Sequence, residues 1–219
     1  MFNHAAIRNR FGKLWARQES AAGEVADPFP TLLKLYGGAG RYYHNFAHIE
    51  HCLSVFDGVQ GSCRDRDAVE LAIWFHDAVY EMGAADNELQ SARLFIDQSG
   101  ALTDDNLRER VYELIIATDH RYIPAGDDER LLADIDLSSF GLNWQRFRDD
   151  GINVRNEMSH LPDSQFYPGQ IRFMNALLDR DPLFVNRQIH ADYESQARSN
   201  INRYRMTLAD RGFETDREG

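Results

Sequence analysis

Apolar residues recur along this chain at three- and four-residue intervals, the spacing of helices with one buried face. Residues 4–22 carry Phe11, Leu14 and Trp15 among charged neighbours, and Asp27-Pro28-Phe29-Pro30 breaks the pattern before a short piece at 31–36. After Gly37-Gly38-Ala39-Gly40, Asn45 is placed to cap a helix whose one face holds His48, Cys52, Val55 and Phe56. Residues 66–82 follow a turn around 58–61, and further helices are predicted over 87–98, 105–118 (capped by Thr103-Asp104-Asp105), 127–140, 144–158, 164–178 and 190–209. Gly151 is a candidate interruption, and the last ten or so residues read as frayed. No Val/Ile/Thr-rich run alternates with the period of two that strands need. The expectation is an all-α chain forming a single domain over 1–219, its core at about 41–141 flanked by helices at both ends.

The segment 66–82 differs from the others. Leu71-Ala72-Ile73-Trp74-Phe75 and Ala78-Val79-Tyr80 make it apolar nearly all round, so it reads as a buried helix. His76 and Asp77 sit in the middle of it. An ionised carboxylate in an apolar interior is costly unless a cation or several hydrogen bonds compensate it, and one bound metal ion would serve both residues.

Composition narrows the picture. The chain has 219 residues, 43% of them hydrophobic, including 13 Phe and 9 Tyr, which suffices for a sizeable core. A net charge of −11 argues against sequence-independent nucleic-acid binding and against an anionic membrane surface. It leaves room for a small phosphorylated substrate held by a metal and one or two arginines, and for a homo-oligomer. Two cysteines, Cys52 and Cys63, do not make a disulfide framework and read as thiols. There is no apolar leader, and no apolar run approaches the ~18–20 residues of a membrane span. The expected compartment is cytoplasmic.

Four chemistry-bearing positions line up in chain order: His48, His76, Asp77 and Asp136. Two imidazoles and two carboxylates suit a divalent ion such as Mn, Fe, Co, Ni, Zn or Mg rather than an all-oxygen calcium site. Four protein ligands leave positions for water and a substrate oxygen on a six-coordinate ion, as metal-assisted hydrolysis requires. Asp134 and Asp136 project to different sides of one helix, so a single one of them should reach a common ion.

This set resembles the HD superfamily of metal-dependent phosphohydrolases, marked by a His, a His-Asp pair and a distant Asp on helices. Tyr43-His44-Asn45-Phe46-Ala47-His48 is similar to the Tyr-His-Asn-x-x-His motif of its cyclic-nucleotide phosphodiesterase branch. The overall resemblance is to a bacterial family of HD-type phosphohydrolases and covers almost the whole chain. It runs through Phe75-His76-Asp77-Ala78-Val79-Tyr80, Asn87-Glu88-x-x-Ser91-Ala92, Thr118-x-His120, Asp134-Ile135-Asp136-Leu137, Arg155-x-Glu157 and Glu194-x-x-Ala197-Arg198-x-Asn200.

The resemblance implies a single helical HD-like bundle with His48, His76, Asp77 and Asp136 as metal ligands. Asp136 is implied because the second Asp of the Asp-x-Asp-x-Leu pattern is the ligand. His44 is implied as the proton donor. The implied reaction is cleavage of a phosphoester or phosphoanhydride of a small molecule, a nucleotide among the candidates, with Asp77 also orienting the attacking water.

Around this core, Glu88 is a candidate to activate water or hold a second ion, or an ordinary first-turn glutamate. His120 is a candidate phosphate contact or a partner of its helix end. Arg41 is a candidate phosphate clamp or a surface arginine. Arg155 reads as half of an ion pair with Glu157 or with a neighbouring helix. Tyr42, Tyr43, Trp74 and Tyr80 read as core or pocket wall, and His51, His160 and His190 as surface residues. Two rival functions share the scaffold: a diiron oxygenase using Glu88 and His120 as further ligands, and a non-catalytic, metal-dependent metabolite-binding protein.

Overall fold

Helix signals dominate the sequence, and helices are what form. The computed structural model describes residues 4–18, 27–100 and 104–213; the expected ends at 19–22, the Thr103 cap and the frayed residues 214–219 lie outside them. Every regular element among the described residues is helical. No helix among them is long and apolar enough to cross a membrane. By its contacts the chain divides into two compact units, Met1–Ala133 and Asp134–Gly219.

The first unit holds α1 (His4–Gln18), α2 (Phe29–Tyr36), α3 (Phe46–Val59), α4 (Arg66–Phe75), α5 (Asn87–Gln98), α6 (Asp105–Ile116) and the start of α7 (Asp127–Leu137). Helix α4 packs against α3, α5 and α6, and its residues Ala68 to Phe75 are all buried. Trp74 is fully buried, with its ring edge-on to Phe11 at 5.2 Å and 6.4 Å from Phe29. Glu70, also on this helix, is buried because Arg10 meets its carboxylate at 2.8 Å.

Caps fix where the elements begin. Asn45 accepts from the N–H of Ala47 at 2.8 Å and so starts α3. Asp65 accepts from Ala68 N–H at the start of α4. The buried carboxylate of Asp128 accepts from the N–H groups of Arg64 and Asp65, at 2.8 and 3.0 Å, which ties the first turn of α7 to the start of α4.

Most boundaries fall within three residues of expectation, and the end of α4 differs most. The sequence predicts a helix through residue 82, but α4 stops at Phe75 with His76 as its cap. Asp77 to Glu81 leave the helix because α5 offers their backbone other partners. Ser91 Oγ accepts from Val79 N–H and donates to Val79 C=O, at 3.0 and 3.1 Å. Asn87 does the same for Glu81, at 2.8 and 3.0 Å. His76 and Asp77 therefore stand at the end of a buried helix rather than at its centre.

The second unit continues α7, then holds a 3-10 turn at Ser138–Gly141, α8 (Trp144–Glu157), α9 (Asp163–Leu178) and α10 (Arg187–Asp210). Gly151 does not interrupt α8. Arg155 pairs with Asp163 at 2.8 Å and donates to the carbonyls of Met158 and Leu161, so its partner is α9 rather than Glu157. The 3-10 turn lies against α10, where Asn200 Nδ2 donates to the carbonyls of Phe140 and Leu142. A Cβ at Gly141 would meet Tyr193 Cβ at 2.5 Å and its carbonyl oxygen at 2.7 Å. Gly141→Ala is therefore expected to cost about 1–3 kcal/mol of stability, read as a lower urea midpoint at unchanged slope.

Asp134, on a different side of α7 from Asp136, is buried, and it accepts from Asn186 N–H at 2.6 Å where α10 begins. Burial pushes its carboxyl up to about 6, against the lowering effect of the Asn186 and Val185 N–H groups. A raised carboxyl pKa means the folded state binds the proton more tightly. Its stability contribution is therefore full below the unfolded value, near 4, and is lost as pH rises through 6. Asp134→Asn keeps an acceptor for Asn186 and removes the charge. It is expected to flatten the fall in stability between pH 4 and 6, on the order of 2–3 kcal/mol in the parent. Equal pH slopes in parent and variant would refute this.

Candidate metal centre

Two helices and one turn of the first unit converge on a small volume. On α3, His48 and Cys52 lie one turn apart and are both buried. His76 caps α4, and Asp77 follows it with its side chain 16% exposed. His48 Nε2 stands 3.2 Å from His76 Nε2, and Asp77 Oδ2 is 3.4 Å from the first nitrogen and 3.2 Å from the second. Three lone-pair atoms thus form a nearly equilateral triangle.

The tautomer is set by the backbone. His76 Nδ1 lies 3.0 Å from Ile73 C=O. A carbonyl only accepts, so Nδ1 carries the proton and Nε2 turns its lone pair toward the triangle. A proton on His48 would satisfy one edge, whereas a cation satisfies all three corners. A tetrahedral ion with bonds of about 2.0–2.1 Å places its N and O donors about 3.3–3.4 Å apart. The observed edges of 3.2–3.4 Å fit that spacing.

His48, Cys52, His76 and Asp136 form a group that could hold a metal ion, each offering one ligand atom, all within 4.8 Å of one another. Asp136 is half-buried on α7, the helix that starts in the first unit. Cys52, which the sequence presents only as a thiol, joins this group, and its place four residues after His48 is the signal for it. Its sulfur is 3.6 Å from Nε2 and 3.9 Å from Nδ1 of His48. Being nearly equidistant from the two nitrogens, it flanks the ring rather than facing the Nε2 lone pair. Cys52 and Cys63 are both thiols.

The other expected site residues are placed as follows. His44 precedes α3, so no helical face carries it; its ring stacks on Tyr80 at 4.0 Å and meets Tyr43 edge-on at 4.9 Å. Its centroid is 6.2 Å from that of His48. The guanidinium of Arg41 donates to the carbonyls of His44, Asp77 and Ala78 at 3.0, 2.7 and 2.7 Å. Arg41 thereby joins two backbone segments, through three of the five N–H groups of its guanidinium.

Glu88 sits in the first turn of α5, half-buried. Burial pushes its carboxyl up; its own N–H opposes this, and Asp119 and Asp77 add to it. His120 takes a left-handed backbone (φ 58°) after a 3-10 turn at Ala117–Asp119. With Asp119, Tyr122, Ile116, Pro124 and Glu129 it lines a cavity of about 360 Å³. His51 is half-buried rather than exposed, while His160 and His190 are exposed.

Compared with protein-family models, curated proteins and solved structures, the chain has no match. What stands is an all-helical fold with a buried His/Cys/His/Asp group able to hold a metal ion.

Proposed function

We propose that the chain is a metal-dependent phosphohydrolase of the HD type, cleaving a phosphoester or phosphoanhydride of a small molecule. The observation that carries this reading is the triangle of His48 Nε2, His76 Nε2 and Asp77 Oδ2, with edges of a metal site and a tautomer fixed by Ile73. Asp136 serves as the further carboxylate ligand. Its helix is pinned at Asp128 to the start of α4. A divalent ion, when bound, supplies Lewis acidity toward phosphoryl oxygens and acidifies water.

The chain's own groups do the rest. Glu88, whose carboxyl is raised by burial, takes the proton of the attacking water. Asp77 also orients that water through its carboxylate. His44, outside the ligand triangle, gives a proton to the leaving oxygen. Arg41 holds the segments carrying His44 and Asp77 in register through their carbonyls, so donor and ligands keep a fixed separation. His120, which lines a cavity of about 360 Å³, contacts the remainder of the substrate.

The test is a screen of phosphorylated metabolites with Mn²⁺-, Co²⁺- or Zn²⁺-supplemented protein, with Asp77→Ala as the blank. Hydrolysis that disappears in the blank supports the reading. Tight metabolite binding with no turnover supports the non-catalytic alternative. A redox-active iron pair in anaerobically prepared protein supports the oxygenase, and one redox-silent ion per chain excludes it.

A further inference from the structure

His44 has no secondary structure to hold it, because α3 begins only at Phe46. An imidazole on such a segment turns about two torsions unless something fixes its plane, and a proton donor that wanders loses rate. The surroundings of Tyr80 supply the fixture. Ser91 and Asn87, one turn apart on α5, each grip both backbone groups of a residue flanking Tyr80, at Val79 and Glu81. The Tyr80 backbone is thus pinned from both sides. Its ring lies against that of His44 at 4.0 Å with only 24° between planes. Arg41 lies 5.4 Å from the same ring and bonds the carbonyl of His44.

We infer that Tyr80 is a positioning residue for His44, its latched ring being the platform that sets the plane of the imidazole. The functional half of this inference rests on His44 being the proton donor of the proposed hydrolase; the platform itself does not. The ring face does the work, and the phenol hydroxyl is dispensable. Stacking on an aromatic face favours both the neutral and the protonated imidazole, so the contact persists through a proton transfer. Ser91 and Asn87 act one step further out, by keeping the platform from tilting.

The experiment compares Tyr80→Phe, Tyr80→Leu and Ser91→Ala by NMR of the His44 imidazole, assigned by its loss in His44→Gln. It is paired with kinetics of the metal-loaded protein on a generic phosphoester. In the parent and in Tyr80→Phe, the ring current of residue 80 should displace the His44 ring protons upfield. In Tyr80→Leu that upfield displacement should be lost, leaving the influence of the edge-on Tyr43 ring, and in Ser91→Ala the protons should shift part of the way. Turnover in Tyr80→Leu should fall about 10- to 100-fold in kcat with KM unchanged, with Tyr80→Phe close to the parent. His44 resonances unchanged in Tyr80→Leu would overturn the platform. Equal kcat losses in the Phe and Leu variants would overturn it too, by assigning the effect to the hydroxyl. Resonances that move as expected in a protein with no phosphoester turnover at all would leave the platform standing and sink the hydrolase.

Discussion

Asp77→Ala is expected to fold normally and to lose both bound metal and turnover. The turn that carries Asp77 is held through backbone groups: Arg41 bonds the carbonyls of Asp77 and Ala78, and Ser91 bonds Val79. None of these needs the carboxylate. Losing a partner outside the ligand shell of a metal site typically costs about 10- to 100-fold in affinity or activity. Losing a corner of the ligand triangle should therefore cost at least about 100-fold in kcat/KM at limiting metal. A second readout separates metal loss from misfolding. Ions that bind the folded state raise the melting temperature of the parent by mass action, and that rise should vanish in Asp77→Ala while the metal-free melting temperature stays put. A variant that keeps both the rise and the turnover would remove Asp77 from the site.

The largest effect on stability is expected from Trp74→Ala. The side chain is fully buried between Phe11 and Phe29. Its indole N–H has no hydrogen-bond partner among the described residues, so packing alone holds it. Truncating a buried tryptophan costs about 3–5 kcal/mol, a large share of the 5–15 kcal/mol typical of a folded domain. Trp74 lies two residues before His76, and its carbonyl accepts from the buried Tyr36 hydroxyl at 3.0 Å, so loosened packing here reaches the backbone that carries a candidate ligand. Urea denaturation should show the drop, and metal affinity should fall with it. Trp74→Phe, which keeps an aromatic ring in the same packing, should retain most of both. A Trp74→Ala protein with an unchanged midpoint would contradict the placement of this residue at the centre of the first unit's core.

Helix type and position were readable from the sequence because they rest on local signals. Asn45 caps α3 as its short polar side chain predicts, and α5 spans Asn87–Gln98, the range its apolar period marks out. The end of α4 was not readable. Ala78, Val79 and Tyr80 continue an apolar pattern, and what takes them out of the helix is a pair of side chains on another element, Ser91 and Asn87. Hydrogen bonds of that kind leave no trace in periodicity.

The metal centre divides the same way. A buried His-Asp pair announces an electrostatic anomaly by itself, and His48 follows from helical spacing. Residues whose task depends on three-dimensional direction were not legible. Arg41 as a bare sequence position gives no sign of the three carbonyls it bonds, which only its placement reveals. Asp134 and Asp136 have similar places in the helical pattern, yet Asp134 is buried against the start of α10 and Asp136 is one of the group that could hold an ion. Cys52 was visible as a neighbour of His48, but its position on the flank of that ring was not.

In the proposed function, hydrolysis depends on an ion seated between His48, His76 and Asp77. The most direct measurement strips the protein with a chelator, returns Mn²⁺ or Zn²⁺ in known amounts, and follows bound ion and phosphoester hydrolysis on the same samples. Stripped protein should show no turnover, and recovery should rise in proportion to bound ion until the site is full. Hydrolysis indifferent to chelation, or a fully loaded site that turns over no phosphoester, would contradict it.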